Sequence, residues 1–165
     1  MSWHRGLLRF LHFVGLAMFL GSLFGHIALS ALPGAEADAH SVVLSSVAIV
    51  HTTRALTLPG LGLLIVTGVW MTVSYHGGFF RARWLTVHQV LSILILLNSL
   101  LILRPLGMDV LRVALGLHDG GLDLSSLHAL THEEMTFGAI NLVLTLATVA
   151  VAIYRPRLSR GAHGG

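Results

Sequence analysis

The sequence predicts an all-α integral membrane protein that forms a four-helix bundle in a single domain of residues 1–165. Of its 165 residues, 55% are hydrophobic and only 10% are charged, and the mean hydropathy is +0.82. This composition is typical of membrane proteins and not of soluble domains. Four segments also hold the roughly 20 mostly apolar residues that one bilayer crossing needs. The lipid bilayer is therefore the first predicted partner.

The four predicted spans cover about residues 6–32, 42–75, 84–103 and 132–154, and Pro- or Gly-containing breaks separate them. The second span is longer than one crossing, so we expect its outer end to tilt or project. Pro59 should kink it, because proline removes a backbone hydrogen bond. For the fourth span, the T-x-x-E pattern from Thr131 to Glu134 has the form of a capping box and predicts a start near His132.

The third loop predicts a short helix lying on the outer membrane surface. In residues 108–117 the polar positions share one helical face and the other positions are apolar. An N-terminal secretory signal peptide is an alternative interpretation of the first span, because its start is basic and its core apolar. The apolar stretch is longer than a usual signal core, which favours a retained span.

The basic residues predict the orientation. All ten are arginine, and seven lie in the N-terminus, the second loop and the C-terminus. The positive-inside rule therefore places both termini in the cytoplasm. No basic cluster is interleaved with aromatics, so we expect no nucleic-acid partner. The chain has no cysteine, which excludes disulfides, thiolate metal sites and cysteine nucleophiles.

Histidine is unusually common, with eleven residues against seven acids. Counting about 1.5 Å per residue from the predicted cytoplasmic ends sorts five of them into two layers. His12 and His88 form an inner pair, and His26, His51 and His132 form an outer group. Histidine is a common ligand of metals and of haem iron. The two layers therefore predict up to two metal or haem sites.

The first span carries one histidine of each layer. His12 and His26 are fourteen residues apart, which puts them about 21 Å apart along a helix and within about 40° of one face. Two stacked b-type haems with bis-histidine ligation would need this spacing. Small and aromatic residues lie between them on that face and would suit a porphyrin: Gly15, Phe19, Ser22 and Leu23. The alternative is that the histidines only form hydrogen bonds between helices.

Arg54 is a charge within an apolar helix and should have an anionic partner. A haem propionate would serve, and so would Glu133 or Glu134 in a purely structural ion pair. The three outer histidines near these acids could instead bind copper or zinc directly. Gly21 and Gly25 form a GxxxG pattern, which favours either a homodimer or close approach of a cofactor.

Three stretches resemble a superfamily of small bacterial membrane proteins that includes copper-resistance D-type proteins and HemJ-type, oxygen-independent protoporphyrinogen oxidases. They are LHFVGLAMFLGSLFGH (11–26), ALTLPGLGLLIVTGVWM (55–71) and RARWLTVHQVLSILILL (81–97). The resemblance implies a bacterial inner-membrane, multi-pass protein and haem- or metal-facing roles for His12 and His26. This chain has His88 where that superfamily usually has lysine. The exchange weakens transfer of the oxidase activity and supplies a better iron ligand.

The sequence thus predicts a protein that binds one or two haem b groups for transmembrane electron transfer or redox chemistry, with a quinol as a possible partner. The predicted ligands are His12 with His88, and His26 with His51 or His132. Bis-histidine ligation leaves no open iron position, which favours electron transfer over oxygen activation. A copper- or zinc-binding or transport protein, and a protoporphyrinogen oxidase-like enzyme, are the alternatives. The sequence leaves open whether the protein is an enzyme.

Overall fold

A computed structural model describes residues 2–31, 39–75, 79, 82–118 and 124–155. All regular structure in these ranges is helical. In chain order the helices are α1 (Ser2–Ala31), α2 (Ala39–Thr52), π1 (Thr53–Thr57), α3 (Leu58–Tyr75), α4 (Arg83–Leu97), π2 (Asn98–Leu103), α5 (Arg104–His118) and α6 (Leu124–Tyr154). They join into four rods that are long and apolar enough to cross a membrane. The predicted all-α four-helix membrane fold is confirmed, whereas the cytoplasmic placement of the termini stays a prediction.

The bundle buries small polar residues beside its apolar core and exposes large apolar side chains, as expected for a protein in lipid. Large apolar side chains such as Phe13, Val66 and Val143 are about two-thirds exposed, at 67%, 62% and 66%. Buried positions include Ser22 and Asn141, at 0% and 1%. In hydrocarbon, polar groups are satisfied within the protein and small polar residues line helix contacts. The distribution therefore fits an integral membrane protein.

The two prolines in the described ranges, Pro59 and Pro105, are each separated by one residue from a preceding wide, π-helical turn. Leu58 N–H bonds to Thr53 O and Arg104 N–H to Ser99 O, five residues back instead of four. Proline lacks the N–H, and its ring collides with the carbonyl one turn earlier. A π turn before it widens the backbone and relieves that collision. The predicted distortion at Pro59 is confirmed in this form.

The same turn corrects the predicted end of the third span. The helix does not stop before Pro105. The wide turn of π2 makes room for the proline ring, and α5 continues directly to His118. The helix predicted for residues 108–117 is present, but it is longer and continuous with the third rod. Its apolar face packs against α2 and α6. A small core of Val110, Ala114 and Leu127 forms there.

The fourth rod begins earlier than predicted. It starts at Leu124, and Thr131 lies within it. The Thr131 hydroxyl donates to Leu127 O at 2.9 Å, one turn back, so the T-x-x-E pattern is not an N-terminal cap. Residues 124–131 are helical because Leu127 and Leu130 pack against α5. The capping-box prediction was wrong because tertiary packing extends the helix beyond it.

The rods form two tight pairs, α1 with α3 and α4 with α6. In the first pair Gly15 and Gly60 cross so closely that a Cβ at either would lie 2.9 Å from the other's carbonyl oxygen. One cation–π contact closes the end of each pair near the chain termini, Arg5 over Tyr75 at 4.7 Å and Arg155 over Trp84 at 5.3 Å. We call this end of the bundle the inner end.

We call the opposite end of the bundle the outer end. Two of the four rods are longer than the hydrocarbon of a bilayer is thick. The candidate span of the second rod has 36 residues and that of the third has 34. At 1.5 Å per residue these are about 54 and 51 Å long, against about 30 Å of hydrocarbon. The expected projection of the second rod agrees with this length. In the part of the bundle away from the termini, α5 packs against both α2 and α6.

Candidate functional site

His12 lies on α1, half-buried near the inner end, and points at α3. Its Nδ1 lies 2.8 Å from Thr67 Oγ1. The Thr67 hydroxyl has one proton, which it donates to Leu63 O at 2.5 Å. The Thr67 oxygen must therefore accept its second bond from His12 Nδ1–H. The neutral imidazole then carries its proton on Nδ1 and leaves Nε2 with a free lone pair.

His88 has the same arrangement on the other helix pair. It is half-buried on α4, and its Nδ1 lies 3.2 Å from the backbone oxygen of Thr148 on α6. A carbonyl oxygen only accepts, so His88 Nδ1–H is the donor. This histidine also keeps its Nε2 lone pair free.

The two imidazoles lie across the interface between the helix pairs. A charge on one of these imidazoles would be felt by the other, so the two rings lie within electrostatic range of each other. Close by, Gln89 Nε2 donates to the Thr72 hydroxyl at 3.5 Å and also joins α4 to α3. The Nδ1 atom of each imidazole thus bonds to an oxygen of a neighbouring helix, Thr67 Oγ1 for His12 and Thr148 O for His88. Histidines that bind metals are held by this kind of second hydrogen bond.

The face of α1 between His12 and His26 is filled by protein. Phe19 and Leu23 belong to the central apolar core with Leu61 and Ile95. A Cβ at Gly15 would meet Gly60 O and Leu63 Cβ, both at 2.9 Å. The expectation that Gly15 lets a porphyrin approach was wrong, because this glycine serves the crossing of α1 and α3.

His26 forms a hydrogen bond between α1 and π1 in this structure. Its Nε2 lies 3.2 Å from Thr53 Oγ1, and Thr53 donates its own proton to Ile49 O. His26 Nε2–H is therefore the donor, and Ser22 Oγ lies 3.5 Å from the same nitrogen. Ser22 in turn contacts the Thr57 hydroxyl on π1. These contacts of His26 and Ser22 tie α1 to the π turn.

The other predicted outer residues are not buried in the bundle. His51, His132 and Arg54 are exposed. Among the described residues no group of three or more His, Asp or Glu side chains could hold a metal ion. The outer copper, zinc or haem site thus stays a prediction without an assembled ligand set.

The structure also changes the interpretation of Arg54. The ion pair in the described ranges joins Arg112 to Asp109 on α5, so the expected pair of Arg54 with Glu133 or Glu134 is not formed there. Arg54 is 21 residues from the inner end of its rod, about 32 Å at 1.5 Å per residue. This depth is the outer edge of the hydrocarbon, where an exposed arginine reaches lipid headgroups. The role of Arg54 as a partner of a haem propionate stays a prediction.

Sequence reasoning did not find the partners of the histidines. Thr67 and Thr148 are ordinary residues of apolar helices, and their roles depend on which rods become neighbours. It also missed a buried polar contact in mid-bundle, where Asn141 Nδ2 donates to Ser99 Oγ at 2.9 Å. Two asparagines within apolar helices were the available signal, because amides there need partners.

A family model described as "Predicted integral membrane protein (DUF2269)" matches residues 6–156. The chain belongs to the DUF2269 family. This match covers all four rods and agrees with their apolar surfaces. Neither the curated proteins nor the solved structures compared with the chain include a match. The resemblance of this DUF2269 protein to copper-resistance D-type and HemJ-type proteins stays a prediction.

Proposed function

We propose that this DUF2269 protein binds haem b between His12 and His88 near the inner end and takes part in electron transfer at the membrane. The single observation behind the proposal is that both imidazoles use Nδ1–H for a hydrogen bond and keep Nε2 free. They lie near each other on different helix pairs, each is held through Nδ1–H, and each keeps a free Nε2. The proposal is limited to this pair because the outer histidines are hydrogen-bonded or exposed.

The donor set fits haem iron better than a tightly held copper or zinc ion. Two neutral imidazoles from facing helices are a common axial pair in helical bundles. A closed zinc site needs four ligands and a catalytic one three, and the described residues contain no group of three. This fit of haem iron to the site rests on the chemistry of the two imidazole ligands and on the hydrogen bonds that their Nδ1 atoms make.

Each residue of the site has a definable role. His12 and His88 would supply Nε2 ligands, and Thr67 Oγ1 and Thr148 O would hold the rings in the tautomer that leaves Nε2 free. Haem b, when bound, supplies one-electron oxidation and reduction at its iron. The apolar helices around the pair would limit the access of water to it. A membrane quinol is the redox partner consistent with this location.

The test is a reduced-minus-oxidised visible spectrum of the purified protein, produced in haem-replete cells, with pyridine-haemochrome quantification. We expect a b-type spectrum with one haem per chain. His12→Ala and His88→Ala should each remove it, whereas His132→Ala, at an exposed position, should keep it. His88→Met should retain haem at a higher reduction potential, since methionine–histidine ligation raises the potential.

Two results would overturn the proposal. A colourless wild-type protein would exclude haem, and analysis for copper and zinc would then test the metal alternative. Haem that survives in both alanine variants but disappears in His26→Ala would move the site to the outer layer. Loss of haem in all variants together with a lower melting temperature would indicate a folding defect, which the His88→Met variant separates from ligand loss.

A further inference from the structure

The chain has only two asparagines, and both lie at one buried seam in the middle of the bundle. Asn98 begins π2, and its Nδ2 donates to Phe137 O of α6 at 3.1 Å. Asn141, one turn further along α6, donates from Nδ2 to Ser99 Oγ at 2.9 Å. Amide side chains from both helices therefore line the contact of π2 with α6.

One atom of this seam has no partner. Asn141 is 1% exposed, and its Oδ1 makes no hydrogen bond with any described residue. The backbone oxygen of Asn141 is satisfied, since it accepts from Thr145 Oγ1 at 2.7 Å. The group without a hydrogen bond is thus the side-chain carbonyl of Asn141.

The environment makes an unpaired carbonyl unfavourable. Asn141 is 13 residues from Tyr154, about 20 Å from the inner end of α6, and so lies well inside the hydrocarbon. Lipid chains offer no hydrogen bonds at this depth. Turning the amide over would leave Nδ2 unpaired instead, because Ser99 Oγ would then donate to Oδ1. A further hydrogen-bonding group is needed in either orientation.

We propose that the seam between π2 and α6 binds a water molecule that donates a hydrogen bond to Asn141 Oδ1. The occupant must be small, because the side chain is enclosed by protein. It must be able to donate or accept, which a water molecule does. Buried waters in proteins typically bind groups that the fold leaves unsatisfied. The π turn beside Ser99 supports this, because π turns disturb the regular backbone bonds and are frequent at functional sites.

The site lies at a depth between the His12–His88 pair and His26. The hydrogen bonds that define the site join Asn98 to Phe137, Asn141 to Ser99 and Thr145 to Asn141, and none of these three bonds involves a histidine. The proposal adds a bound water molecule to the polar residues that are buried in the middle of the bundle.

The experiment is solid-state NMR of the full chain in bilayers of deuterated lipid, with carbon-13 and nitrogen-15 asparagine as the label. Magnetisation is transferred from water to the Cβ protons of asparagine, which do not exchange with water. Only two residues give signals. Asn98 follows Leu97 and Asn141 follows Ile140, so carbonyl-labelled leucine identifies Asn98 without any mutation.

Labelled tyrosine provides the positive control, because Tyr154 is 82% exposed. We expect transfer from water to the Asn141 Cβ protons, and its loss in Asn141→Leu while the Asn98 signals remain. If Asn141 receives no magnetisation at mixing times that saturate the Tyr154 signal, the proposal is wrong. The wild-type measurement decides the question by itself, so a variant that fails to fold does not leave it open.

Discussion

The crossing of α1 and α3 at Gly15 can be tested with a single methyl group. A Cβ at position 15 would lie 2.9 Å from Gly60 O and from Leu63 Cβ. These atoms belong to the backbone and to the root of a side chain, so they cannot move without the helix. In Gly15→Ala the two helices must therefore separate by several tenths of an ångström. Overpacking of this kind costs about 1–3 kcal/mol.

Gly21 is the matched control on the same helix. It is exposed, and a Cβ there meets nothing within 4 Å. Gly21→Ala gains the intrinsic helix preference of alanine, about 1 kcal/mol, without a clash. Gly15→Ala gains the same preference, so the difference between the variants isolates the packing cost of about 1–3 kcal/mol. At roughly 2–4 °C per kcal/mol for a chain of this size, the melting temperatures should differ by about 2–12 °C.

The assay is thermal unfolding in detergent followed by tryptophan fluorescence, since the chain has three tryptophans and no cysteine for thiol dyes. Gly15→Ala should melt below Gly21→Ala. It should also retain less haem, because His12 lies one turn from the crossing. Equal melting temperatures would refute the close backbone contact, and a lower value for Gly21→Ala would place the essential small-residue face on the outside of α1.

Two further predictions follow from the site. Thr67→Val keeps the shape but removes the acceptor of His12 Nδ1–H, so haem affinity should fall about 10–100-fold. Titration with haem measures this, with Thr72→Val as the control because that hydroxyl accepts from Gln89, and equal affinity in both variants would contradict the role of Thr67. Arg54→Ala should change stability by no more than about 0.5 kcal/mol, because the side chain is exposed without an ion pair in the described ranges. A larger loss in thermal unfolding would show that Arg54 has a partner within the protein.

Much of the fold could be predicted because it depends on local sequence properties. Four long apolar segments, the distortion at Pro59 and a helix over residues 108–117 follow from hydropathy and from proline chemistry, and the structure contains all three. The predicted helix ends failed at Pro105 and Thr131. In both places packing against a neighbouring helix decides the outcome, and a single segment carries no information about its neighbour.

The sequence by itself predicts that His12 and His88 share a depth, because rise per residue and span boundaries set the height of each side chain. It also determined that the chain crosses a membrane, because composition sets the preferred solvent. Only the tertiary structure decided which histidines keep a free Nε2. Thr67 and Thr148 hold the inner pair through Nδ1, whereas Thr53 engages His26 through Nε2. These partners are 55, 60 and 27 residues away along the chain, so the hydrogen bonds of each histidine depend on the packing of the rods.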